Sequence, residues 1–177
     1  MTNVVYAIAS GTFSPMLGSL SNVLQKGAEH AIIQGWQADR LPQSRLAPDM
    51  FTLAQQVRLA CLHAKDNVGR LTGLAAPQFE DTETTVEDLT TRILRTTEFL
   101  DGVAEAAFEG ADARRVTLPL QAGMVLEATG VQFLRDWALP HFYFHVVTAY
   151  DILRNNGVEI GKQDYLAHVG PLIRQSA

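Results

Sequence analysis

Apolar residues recur every three or four positions along most of the chain, the period of helices that bury one face. The pattern predicts a first helix over residues 14–33, with Ser14 as N-cap, Pro15 at the first helical position and Phe13, Leu17, Leu20, Leu24 and Ala28 as its stripe. Gly35 supplies its stop. Residues 36–48 carry Pro42 and Pro48 without a sustained period and read as a loop, after which Asp49 caps a second helix running to Leu71. The stripe of that helix is Met50, Leu53, Val57, Cys61, Ala64, Val68 and Leu71. A capping box at Thr84-Thr85-Val86-Glu87 opens a third helix to Asp101, with Val86, Leu89, Ile93, Leu100 and Val103 inward and Arg92, Arg95 and Glu98 on the solvated side.

Between residues 114 and 129 the period changes to alternation. Val116, Leu118 and Leu120 precede Ala122-Gly123, and Val125-Leu126 follow, which predicts a small β-hairpin packed on the helices. A fourth helical region spans residues 131–156, interrupted at Pro140 and ended by Asn156-Gly157. It is apolar almost all round: Phe142, Val146, Ala149 and Leu153 form one stripe, Phe144 and Val147 lie opposite, and Tyr143 and Tyr150 fill another side. Its remaining faces therefore call for cover by the tail, the hairpin or a second copy, and the expected partner is an identical subunit bound through this last long helix. The tail from Val158 to Ala177 is expected to wrap the helices.

Composition bounds the function classes. A chain of 177 residues, 47% hydrophobic and 19% charged, suits one globular domain over 1–177. Its net charge of -5 offers no general attraction to phosphate backbones or anionic membranes, so neither nucleic acid nor a membrane is an expected partner. The single cysteine, Cys61, excludes an internal disulfide and a Cys-rich zinc site. With no basic leader before the short apolar N-terminal run and no stretch long enough to span a bilayer, the expected location is cytoplasmic. There is no nucleophile elbow, Gly-rich phosphate loop or dinucleotide fingerprint, and no catalytic residue is assigned.

The stretch His141-Phe142-Tyr143-Phe144-His145 carries the one hint of chemistry. Imidazoles four residues apart lie on one helix face and can share a metal ion, here along the flank of the Phe142 stripe. A third ligand is less evident. His63 points about 140° away from the direction of Val57 and Cys61, towards an edge of helix two. Gln56 lies nearer the core, but an amide is a poor metal ligand. His30 closes helix one and His168 lies in the tail. Cys61 falls on the apolar stripe and reads as a small core residue.

Three segments carry a family resemblance: Arg45-Leu46-Ala47-Pro48-Asp49-Met50-Phe51, Phe79-Glu80-Asp81-Thr82-Glu83-Thr84-Thr85 and Leu139-Pro140-His141-Phe142-Tyr143-Phe144-His145-Val146. With them go Ala149-Tyr150-Asp151-Ile152-Leu153-Arg154-Asn155-Asn156-Gly157-Val158, Gly161-Lys162 and Asp164-Tyr165. Together these resemble an uncharacterised bacterial family of the DinB/YfiT-like superfamily. The resemblance implies an all-α fold, a four-helix bundle with the hairpin between helices three and four, often dimeric. It also implies a divalent metal, zinc or nickel, held by one histidine from helix two and an H-x-x-x-H pair on the last long helix, here matched by His141 and His145. The helix-two position departs from that pattern: Gln55 or Gln56 falls near the expected ligand and His63 about two turns later.

The resulting expectation is a dimeric helical protein that binds a small molecule or a partner in an interhelical pocket beside Tyr143, Phe144 and Tyr150, without an intact metal triad. The alternative is a metal-dependent hydrolase or thiol transferase using His141 and His145, with His63 as reserve ligand.

Overall fold

The computed structural model describes residues 2–174. Four long helices dominate: α1 (Val4–Ile33), α3 (Leu53–Thr72), α4 (Val86–Asp101) and α6 (Leu139–Asn155), with a single-turn α2 (Arg40–Gln43) between the first two. After α4 come an antiparallel hairpin of β1 (Arg115–Pro119) and β2 (Val125–Thr129), and α5 (Gly130–Phe133). A π turn, Leu134–Ala138, joins α5 to α6, and α7 (Lys162–Tyr165) lies in the tail. The closest packing is of α3 on α6 and of α1 on α4, with α3–α4 and α1–α6 contacts completing the core. Phe13 of α1 and Phe142 of α6 meet edge to face at 5.0 Å in its interior. Among the described residues no helix is long and apolar enough to cross a membrane.

The first helix starts at Val4, not Ser14, and Pro15 lies inside it. Asn3 is the true cap: its Oδ1 accepts from the N–H groups of Val5 and Tyr6, and its own amide donates to the Phe108 carbonyl. The added turns bury Val5 and Ala9 on the stripe that Phe13 continues, and this burial outweighs the hydrogen bond that Pro15 removes. The second helix is capped by Thr52 in a reciprocal box with Gln55, so Asp49 and Met50 precede it. The third uses Thr85 with Asp88, one residue beyond the expected box. The loop expected over residues 36–48 contains α2, held by the burial of Leu41.

Arg92 corrects a further expectation. It is buried, because residues 73–85 fold back over this face of α4 and supply it with carboxylate and carbonyl partners. The hairpin forms as expected, turning at Ala122 and Gly123, both in the left-handed region. Pro140 does not interrupt the last helix. It lies in the first turn of α6, and the Leu139 N–H reaches back five residues to the Leu134 carbonyl, so the π turn absorbs the ladder position that a proline cannot fill. The tail packs on α1 through α7 and the turn Ala167–Leu172; residues 175–177 lie outside the described residues.

Candidate functional site

Over half of α3 is buried, since the helix packs against α6, α4 and α1 at once. Val57 and Cys61 mark a buried face, and the buried Gln56 and half-buried His63, seven residues apart and thus two turns along one side, mark a second face. That second face meets α6. His63 takes the expected edge position, and that edge faces α6: its ring centroid is 5.0 Å from that of His141 and 5.3 Å from that of His145. The two α6 histidines project from successive turns of one helix, as their spacing requires.

Two of the three rings are held in a defined state. His145 is 6% exposed and donates its Nδ1 proton to Gln56 Oε1 at 2.7 Å, across the α3–α6 interface. His141 donates its Nδ1 proton to the Trp137 carbonyl at 2.8 Å, with the indole 4.2 Å from its ring. In the neutral imidazole this leaves the Nε2 lone pair free on both. Burial, reinforced by the neighbouring imidazoles, lowers His63 to about 4, and burial together with His141 lowers His145 to about 4, so both are neutral near pH 7. Neutral imidazoles whose second nitrogen donates to a carbonyl are what a metal ligand requires. The chemistry of the donor set thus fits a divalent metal. As they stand, however, no three His, Cys, Asp or Glu side chains among the described residues form a group that could hold the ion.

The other candidates lie elsewhere. His30 packs edge-on against Trp36, and His168 pairs with Ser19. Burial pushes the Cys61 thiol up to about 11 and leaves it an inert core residue. Of the expected pocket residues, Tyr143 contacts Phe142, Tyr150 faces Tyr165, and Phe144 is exposed with its ring roughly perpendicular to that of His145. Sequence reasoning missed the role of Gln56, for which the signal was its seven-residue spacing from His63.

Comparison with known proteins identifies the family and the fold. Residues 5–166 match the family described as a domain of unknown function (DUF1993). The crystal structure of a DinB family member protein from Shewanella denitrificans is similar throughout: 42% identity, TM-score 0.84, with 91% of this chain and 90% of that one covered. No curated protein matches. The chain belongs to the DUF1993 family, an uncharacterised family of DinB-like helical proteins.

Proposed function

We propose that α1, α3, α4 and α6 form a DinB-type four-helix bundle whose function rests on a divalent-metal site of His63, His141 and His145. The observation that carries this reading is the pair of hydrogen bonds fixing His141 and His145 by Nδ1, to Trp137 and Gln56, beside the neutral ring of His63. All-imidazole ligation suits zinc or nickel. The three side chains do not form a metal-holding group as they stand, so His63 has to reorient for its donor to join the other two. A metal held by these three side chains would supply a Lewis acid able to activate water or a thiolate, the basis of a hydrolase or thiol transferase. The chain's own contribution is to hold two imidazoles in one tautomer and to bury the third position against α6. This reading stands ahead of a small-molecule pocket at Tyr143, Phe144 and Tyr150, because those side chains face different neighbours. A reduced Cys61 suits the cytoplasm.

Metal analysis of tag-free protein equilibrated with zinc or nickel tests the proposal. One equivalent per chain is expected, lost in His63→Ala and in His145→Ala while the helical circular dichroism persists. A substoichiometric content that these variants leave unchanged overturns it.

A second observation supports a homodimer through α6. Phe144 is 60% exposed and Val147 lies exposed on the same helix, so among the described residues neither the tail nor the hairpin covers this apolar strip. Phe144 also lies 5.3 Å from the His145 ring, and a partner resting on it would close the histidine cluster from solvent. Sedimentation at micromolar concentration should give a dimer that Phe144→Glu dissociates; a monomeric parent protein counts against it.

A further inference from the structure

Residues 73–85 run back along the groove between α3 and α4 and lay the half-buried Phe79 ring among three cations: Arg95 at 4.5 Å, Arg92 at 5.4 Å and Lys65 at 5.7 Å. A cavity opens on each side of that ring. The one towards α3 holds about 390 Å³ and the one towards α4 about 450 Å³, and Gln78, Phe79 and Arg92 line both. Two of the wall cations are buried. Lys65 is 1% exposed, and its ammonium meets the half-buried Asp66 carboxylate at 2.5 Å. Arg92 gives Nη1 to Glu83 and to the Glu80 carbonyl and Nη2 to Asp81 at 3.0 Å, while its buried Nε–H has no partner among the described residues. Arg58, the third cation of the α3-side cavity, is held by Glu83 at 2.6 Å.

Holding an ammonium and a guanidinium out of water is expensive unless anions meet them, and here one of those anions is a substitute. Asp81 is 65% exposed on the loop, yet its carboxylate closes onto the cavity side of the buried Arg92. Leu59, Leu62, the exposed Phe51 and Phe79 supply the apolar part of the α3-side wall, and Gln55 and Gln78 add neutral amides to it. Apolar walls around a few convergent cations, at a few hundred cubic ångströms, are the usual form of a small-molecule site. We propose that this cleft binds a small organic carboxylate with an apolar or aromatic body. Its carboxylate takes the place of Asp81 on Arg92 and is met by Lys65, and its body lies between Phe51 and Phe79. The site is separate from the histidine cluster, since Lys65 follows His63 by two residues and so projects from the other side of α3.

Titration of the full chain with 3-phenylpropanoate, followed by calorimetry and saturation-transfer NMR, tests this, with 3-phenylpropan-1-ol as the uncharged analogue. The carboxylate should bind saturably at millimolar concentration or below, and about tenfold more weakly to Lys65→Met, the loss of one charge-assisted hydrogen bond. The alcohol should bind about tenfold more weakly than the acid for the same reason. Asp81→Asn should tighten the acid, because it removes the competing carboxylate; this exposed substitution also decides the matter if Lys65→Met fails to fold. Equal affinity for acid and alcohol, no saturation, binding of inorganic phosphate in place of the acid, or weaker binding in Asp81→Asn overturns the proposal.

Discussion

His145 and Gln56 are joined across the α3–α6 interface by a 2.7 Å hydrogen bond, and both side chains are buried. The amide oxygen can only accept, so it assigns the proton to Nδ1 and leaves the Nε2 lone pair free. Gln56→Leu keeps the volume and removes the acceptor. It should weaken metal uptake about tenfold to a hundredfold, as the loss of a ligand's supporting partner does. It should also destabilise the fold by about 1–3 kcal/mol, from the buried N–H left unpaired. Metal titration and thermal unfolding of the same variant read both effects; unchanged metal affinity would separate Gln56 from the site.

The histidine cluster should make the protein acid-sensitive in a definable window. His63 and His145 are lowered from 6.5 to about 4 in the folded chain, so between those values the unfolded chain binds more protons. Their contribution is complete above pH 6.5 and falls as pH drops towards 4. The melting temperature of the metal-free protein should decline across that interval, and His63→Gln should flatten the decline. An identical pH dependence in that variant would refute the assignment.

What the sequence made legible follows from which forces act locally. The helical period placed α4 and α6 and the inward stripe of α3, because burial of one face imposes that period directly. The histidine pair on α6 was legible for the same reason. His63 was not placed with it, because a helix packed on three neighbours has more than one buried face, and a wheel drawn from Val57 and Cys61 displays one of them. Arg92 was read as solvated because its cover comes from residues 73–85, whose path no periodicity encodes. The start of α1 was hidden behind Pro15, where an adverse local preference yields to the burial of Val5 and Ala9.

Glu83 should be the ion-pair residue whose loss is most damaging. Its carboxylate receives Arg58 at 2.6 Å and Arg92 at 2.5 Å, and all three side chains are largely covered. Burial pushes its carboxyl up, but hydrogen bonds from Arg92, its own backbone and Arg58 prevail and hold it below its ordinary value. Such a group stabilises the fold above the ordinary carboxylate range and loses that contribution as pH falls through its lowered value. Glu83→Gln leaves Arg58 without its counter-charge and the buried Arg92 with only the exposed Asp81, and should lower stability by about 3 kcal/mol near neutrality, with the deficit shrinking in acid. Urea unfolding at two pH values checks it; a deficit that does not shrink with acid would point to packing instead of charge.

Gly130 makes the tightest approach in the hairpin region, where the chain leaves β2 and begins α5. A Cβ there would lie 1.8 Å from the carbonyl oxygen of Ala111 and 3.3 Å from Leu71 of α3. Ala111 is itself buried, so neither backbone can yield without moving the hairpin off the helices. Gly130→Ala should therefore destabilise by about 2–3 kcal/mol, at the upper end of overpacking. Gly18 gives the opposite expectation. It lies within α1, and beyond the helix's own backbone no atom of the described residues comes within 4 Å of where a Cβ would stand, so Gly18→Ala should stabilise by about 0.5–1 kcal/mol through helix propensity alone. Thermal melts of the two variants should move in opposite directions from the parent protein. If Gly130→Ala melts with the parent, the close passage of residue 130 over Ala111 is not what fixes the hairpin in place.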